Sequence, residues 1–224
     1  MAIEFNTASS TNGDASSFTF GHDATGSDII LVGVASKQST FPLVSSVTFN
    51  GTDSFTYATG CIFGSTQLGE VWYLESPTST SGNIVVNTLV SERVVCGAAS
   101  YLNVSGIRTD NIVCSSGQNT NATGTMTTII ENSVVFSSLS VRDRTTTITS
   151  DADLTQRYTN SNTGNPANRT ATGRGYDEGV GVGLSAGSYA YGHDLSAVEA
   201  WTMINLELVL KPITGDIVSY GFIM

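Results

Sequence analysis

Residues 200–210 read Ala-Trp-Thr-Met-Ile-Asn-Leu-Glu-Leu-Val-Leu. Ile204, Leu206, Leu208 and Leu210 alternate with Asn205, Glu207 and Val209. A period of two sends alternate side chains to opposite faces of an extended strand. Pro212 has no amide hydrogen to continue the ladder and stops it. The same pattern recurs in Ser17–His22, Asp28–Ala35, Val44–Asn50, Glu70–Leu74, Asn83–Leu89, Val94–Leu102 and Val134–Val141. Gly, Asn, Asp and Ser separate these runs, and no helical stretch of comparable length interrupts them. The reading is all-β: an antiparallel β-sandwich of jelly-roll type with little or no helix.

The chain has 224 residues. That length suits one large sandwich with a full core. We read 1–212 as a single domain and 213–224 as a C-terminal tail. Asn50-Gly51 is a strong hairpin signal, and Ser54–Ala58 should return beside Val44–Asn50. Ile3–Ala8 reads as an opening strand, Ser9–Ser16 as a polar loop. Asn83–Leu89 and Val94–Leu102 read as a pair turning near Ser91-Glu92. Met126–Ile130 and Val134–Val141 read as a hairpin about Glu131-Asn132, and Thr145–Thr149 and Leu154–Tyr158 as another pair. Residues 159–175 read as a long polar loop, a length that usually signals function or disorder. No internal repeat of fixed period is visible.

Charged residues make up only 12% of the chain, against roughly 25% in an ordinary domain. Acids outnumber bases 19 to 9, for a formal charge of −10. Such a surface repels nucleic acid and anionic membranes. No run reaches the ~20 apolar residues of a membrane-spanning helix, and Met-Ala-Ile-Glu-Phe-Asn lacks the features of a secretory signal. The expectation is synthesis in a cytoplasm. Cys61, Cys96 and Cys114 are odd in number and have no metal-ligand spacing, so free buried thiols are expected, with a disulfide formed in an oxidising setting as the alternative.

Little in the sequence suggests chemistry. His22-Asp23 and His193-Asp194 lack a nucleophile elbow and read as turn residues. Asp151-Ala-Asp153 is a fragment of a calcium loop without its remaining ligands. Gly179-Val-Gly-Val-Gly183 precedes no helix and reads as a strand or bend rather than a phosphate loop. Asn50, Asn103, Asn121 and Asn168 begin glycosylation triplets that a chain so rich in Asn, Ser and Thr produces by chance. Trp72-Tyr73 and Trp201 should pack largely into the core. Tyr176, Tyr189 and Tyr191 are the candidates for an exposed recognition surface. No catalytic residue, metal or cofactor is assigned.

Several segments together resemble a known pattern: Ala15-Ser-Ser-Phe-Thr-Phe-Gly-His, Gly26-Ser-Asp-Ile-Ile-Leu-Val-Gly-Val-Ala, Val44-Ser-Ser-Val-Thr-Phe-Asn-Gly, Glu70-Val-Trp-Tyr-Leu-Glu-Ser-Pro, Gly82-Asn-Ile-Val-Val-Asn, Cys96-Gly-Ala-Ala-Ser-Tyr-Leu-Asn-Val and Ala200-Trp-Thr-Met-Ile-Asn-Leu-Glu-Leu. They resemble a jelly-roll-like β-sandwich module of tailed-bacteriophage virion structural proteins, over residues 1–108 and 198–212. The resemblance implies a non-enzymatic virion role and carries no catalytic residues. The expectation is a capsid decoration (cement) protein, a homo-oligomer (trimer) that binds the major capsid protein or other virion proteins. Ala2, Ile3, Phe5, Tyr220, Phe222, Ile223 and Met224 are the expected partner contacts. The tail after Pro212 departs from the pattern. A carbohydrate-binding module on a tail fibre or virion surface is the alternative, and a glycoside hydrolase the third reading.

Overall fold

The structure is a computed structural model and describes residues 1–37, 41–128, 130–142, 147–162 and 172–212. Among them there is no helix. The strands are β1 (Glu4–Asp23), β2 (Ile29–Ser36), β3 (Val44–Phe49), β4 (Asp53–Ser54), β5 (Thr56–Phe63), β6 (Gln67–Glu75), β7 (Ser81–Leu102), β8 (Val104–Ile107), β9 (Val113–Thr128), β10 (Val134–Val141), β11 (Ile148–Ser150), β12 (Thr155–Ser161), β13 (Thr172–Glu178) and β14 (Gly187–Leu210). All pair antiparallel. One sheet runs β4-β3-β7-β2-β6-β5 with β1 also on β7; the other runs β11-β14-β10-β13-β12 with β8 and β9 also on β14. They pack face to face as the β-sandwich read from the sequence. Its connectivity divides the chain by halves: residues 4–102 build the first sheet and 104–210 the second. Among the described residues no strand crosses from one sheet to the other.

The two halves have the same topology. Each joins a long first strand to a long last strand (β1 to β7, β9 to β14), then adds a central strand (β2, β10), a third (β6, β13) and an edge strand (β5, β12). The row Cys61, Gly69, Ala35, Val95, Asn12 of the first sheet corresponds to Asn160, Gly173, Ser140, Thr202, Ser116 of the second. The irregularities correspond as well. β5 slips register between Tyr57 and Thr59, and β12 slips between Gln156 and Tyr158. β7 gains extra residues between Asn87 and Glu92 opposite Ser17 and Ala15; β14 does so between Asp194 and Glu199 opposite Asn121 and Asn119. Bulges re-aim a strand at a fixed point, and sharing two of them marks one architecture used twice. The sequence hides this repeat because equivalent residues differ in type and strands and loops differ in length.

Three cores follow from this plan. One lies within the first half, under the folded-over ends of β1, β3 and β7, and contains Phe18, Phe20, Val32 and Phe49. A second lies within the other half and contains Met126, Leu139, Tyr191 and Trp201. The third lies between the sheets and draws on both, with Leu31, Tyr101, Phe136, Tyr158 and Leu206. Tyr158 occupies its centre. A Cβ on Gly33, Gly97 or Gly175 would collide with the Tyr158 ring or hydroxyl, so three glycines form a slot for one aromatic ring.

Equivalent rows face each other: Gly69 lies against Thr202 and Ser140, and Gly173 against Val95 and Ala35. The pseudo-twofold axis therefore runs along the strands, and equivalent features lie at the same end of the slab. Two equivalent seams close its sides. At one, Cys61 of β5 forms a disulfide with Cys114 of β9, with Cα atoms 5.6 Å apart. At the other, the corresponding residues are Asn160 of β12 and Ser10 of β1, and Asn160 Nδ2 donates to Ser10 Oγ at 3.2 Å. The disulfide replaces the free thiols expected at Cys61 and Cys114; Cys96 alone is free, and it is buried.

Other local expectations also change. Ile3–Ala8, Ser9–Ser16 and Ser17–His22 are one continuous strand, β1, and Asn83–Leu102 is one continuous strand within β7 rather than a hairpin. β9 and β10 do not pair with each other, nor do β11 and β12; β9, β10 and β11 lie on β14, and β12 on β13. The Asn50-Gly51 hairpin forms between β3 and β4, with φ of 51° and 75° as a type I′ turn requires, but only Asp53–Ser54 return beside β3, and Thr56–Ala58 pass into β5 on β6.

Two predictions test this arrangement. The double variant Ser10→Cys/Asn160→Cys should form a second disulfide spontaneously, detectable by peptide mapping, and raise stability by about 2 kcal/mol; persistent free thiols under oxidising conditions would contradict the duplication. Gly97→Val should cost about 3 kcal/mol by overfilling the Tyr158 slot, measured by urea denaturation; a neutral effect would show the slot to be loose.

Candidate binding surfaces

The structure relocates the residues singled out from sequence. Ile3 is fully buried in the inter-sheet core. Phe5 is half-buried, packs on Tyr101 with ring centroids 5.9 Å apart, and carries the Arg157 guanidinium 4.1 Å above its ring. The Ala2 carbonyl accepts from Asn103 Nδ2 at 2.7 Å. Ile3 is thus corrected from a partner contact to a core residue, while Ala2 and Phe5 keep part of their surface exposed. Tyr220, Phe222, Ile223 and Met224 lie outside the described residues. Tyr176 and Tyr191 are each only 1% exposed, so they are not an exposed recognition surface. Tyr176 lies on the covered outer face of the second sheet and Tyr191 on the ribbon that covers it, and both belong to the core between them. Tyr189 is half-buried, its hydroxyl donating to the Ser185 carbonyl at 2.9 Å.

The buried carboxylates are committed to holding the fold. Glu70 Oε1 accepts the Leu43 amide at 2.6 Å, and its other oxygen accepts Trp72 Nε1 at 3.3 Å. Burial raises the Glu70 pKa against the opposing pull of those bonds. Glu207 accepts from Asn111 Nδ2 at 2.8 Å and from the Ile130 amide at 3.2 Å. Asp177 is ion-paired to Arg157 and accepts the Tyr101 hydroxyl at 2.9 Å; burial nonetheless raises its pKa. Among the described residues no group of three or more His, Cys, Asp or Glu side chains converges as a metal would need.

The exposed aromatics sit elsewhere, on the outer face near the β5 edge. Tyr57 packs edge-on against half-buried Trp72 at 5.2 Å, and Phe41 adjoins Tyr57 at 6.4 Å. Phe41 and Tyr57 are exposed, as is Ile62 on the same strand. Burial of its hydroxyl and the Glu70 charge push the Tyr57 pKa up to about 12. Gly60 makes room for this cluster, since a Cβ there would collide with the Phe41 ring. The segment Ser54–Ala58 read from the sequence includes Tyr57 but not the rest of β5, and Phe41 belongs to a loop and carries no periodic signal. The equivalent positions of the second half are Gln156 and Tyr176, so this aromatic edge is unique to the first half.

The slab also has two unlike ends. At one, the N-terminus, the link between halves and Lys211-Pro212 gather around an open groove of about 670 Å³ lined by Met1, Asp28, Ser76, Asn103, Ser105 and Lys211. Asp28 organises it, accepting the Asn103 amide at 2.6 Å and pairing with Lys211 Nζ at 2.9 Å. At the other end lie the two equivalent bulges of β7 and β14, with Leu89 59% and Val198 60% exposed.

The histidines are structural. His22 Nδ1 meets Ser9 Oγ at 2.8 Å, and His193 Nδ1 meets Ser150 Oγ at 3.0 Å. Burial lowers His22 to about 4, opposed by Asp23, and lowers His193 to about 4, reinforced by Arg174. An unfolded imidazole takes a proton near pH 6.5. Between about pH 6.5 and 4 the unfolded chain therefore binds protons that the folded chain refuses, and stability falls as pH drops through that window. Replacing each histidine by its counterpart in the other half, as His22→Met and His193→Val, should remove up to about 3 kcal/mol of that loss per residue. Urea denaturation at pH 7 and pH 4 measures it; equal losses in variant and parent would show that the histidines charge freely.

No protein-family model matches the chain, and no curated protein matches it in sequence.

Proposed function

We propose that this protein is a non-enzymatic bacteriophage virion structural protein, a decoration protein that binds an assembled shell as a homo-oligomer. The resemblance of its core and turn segments to virion sandwich modules supports this reading. The observation that carries it is the gathering of Met1 and Lys211-Pro212 at one end of the slab. Pro212, the last described residue, lines the groove beside Met1; on this reading the segment that follows it supplies the attachment and the sheets act as a spacer. Contacts of this kind work by buried area and complementarity, and symmetric oligomers multiply them. The major capsid protein is the proposed partner and the virion the proposed location.

The exposed edge of Phe41, Tyr57 and Trp72 favours a second reading, recognition of a glycan. Aromatic faces and edges offer an apolar surface to sugar rings, and this cluster is the main exposed aromatic group among the described residues.

Co-sedimentation with undecorated capsids decides the first reading. The full chain should pellet with capsids and the chain ending at residue 212 should bind at least tenfold more weakly. Equal binding would remove the tail from the interface, and no binding by the full chain would end the decoration role. A glycan array decides the second: Tyr57→Ala should abolish any signal, and a blank array for the parent would dismiss it.

A further inference from the structure

The two halves fill the same interior space with different chemistry. Under the β1–β7 ribbon the first half places Val32, Ala98, Phe18, Phe20 and Val86. Register puts Ser137, Asn205, Ala122, Gly124 and His193 at the corresponding positions of the second half. Hydrocarbon has given way to hydroxyl, amide and imidazole, and two phenyl rings to a methyl group and a hydrogen.

These polar groups meet in one place. Ser137 and Asn205 face each other on adjacent strands, on the outer face of the sheet. Tyr176, the other neighbour of Ser137, stacks on His193 from the covering ribbon with ring centroids 4.6 Å apart. The Asn205 amide lies against Gly124 of that ribbon, where a Cβ would stand 3.3 Å from Nδ2. Ser137 and Asn205 are fully buried and His193 is 1% exposed. Among the described residues, Ser137 Oγ, Asn205 Oδ1 and Nδ2, and His193 Nε2 have no hydrogen-bond partner, and Arg174 Nε beside them has none. Buried polar atoms are almost always satisfied, by protein or by ordered water, and apolar cavities stay dry while polar ones fill. The counterparts Val32, Ala98 and Val86 have no such atoms to satisfy.

We infer that the second half encloses a binding site for internal water: a small group of ordered molecules hydrogen-bonded to the Asn205 amide, the Ser137 hydroxyl and His193 Nε2. The site offers acceptors as well as donors, which suits a molecule able to do both. Asn205 Oδ1 would repel a simple anion, and the Arg174 guanidinium would repel a cation.

Nuclear Overhauser spectra of the full chain test this directly. The Asn205 side-chain amide protons should show cross-peaks to long-lived water. The double variant Ser137→Val/Asn205→Ala, which copies the first half, should stay folded with an undiminished thermal midpoint and lose the water cross-peaks on the His193 ring. Absence of any water contact at Asn205 in the parent would overturn the inference, whether or not the variant folds. So would an anomalous bromide peak at the site in a soaked crystal, which would make it an anion site.

Discussion

Two sheets can approach closely only where one presents little beyond backbone. Here that condition is met at the Tyr158 slot, where Gly33 and Gly97 of the first sheet and Gly175 of the second leave room for a single ring. The ring fills the space that three side chains would otherwise contest, and the flanking Leu31, Phe136 and Leu206 pack around it. The inter-sheet core is the one cluster that draws on both halves; the other two large cores belong to one half each. The two seams close the sides of the slab, and this core fills its middle.

A doubled architecture frees its two copies to diverge. One seam is covalent, through Cys61 and Cys114, where the other uses a hydrogen bond between Asn160 and Ser10. One outer face ends in exposed aromatics, where the other buries a tyrosine against a histidine. One interior is hydrocarbon and the other partly polar. Because the pseudo-twofold axis runs along the strands, the doubling also gives the molecule two distinct poles: the equivalent bulges at one, and Met1 with the Asp28–Lys211 ion pair at the other. The buried carboxylates of both halves are held by the fold, Glu70 by a backbone amide and Asp177 by an ion pair.

The strand segments rich in Val, Ile and Leu were legible because burial on one or both faces demands apolar residues at fixed spacing. Val44–Phe49, Glu70–Leu74 and Ala200–Leu210 are strands as read. The Asn50-Gly51 turn was legible because few dipeptides accept two positive φ angles. Illegible were Ser9–Ser16 and residues 115–125, where polar Ser, Thr, Asn and Gly build strands whose support comes from β7 and β14, far away in the chain. The exposed surface was misplaced for a related reason: Tyr176 and Tyr191 look like loop residues beside a polar stretch, yet the ribbon folds over them. The repeat escaped notice because pairing register survives substitutions that sequence comparison does not.

Hydrogen exchange measured strand by strand, with the disulfide intact, tests the central role of the inter-sheet core most directly. Amides of β2, β7, β10 and β14 should exchange together, through one global opening shared by both halves. Protection in one half that persists while the other exchanges at far lower free energy would contradict it, and would leave two independent units joined by a link.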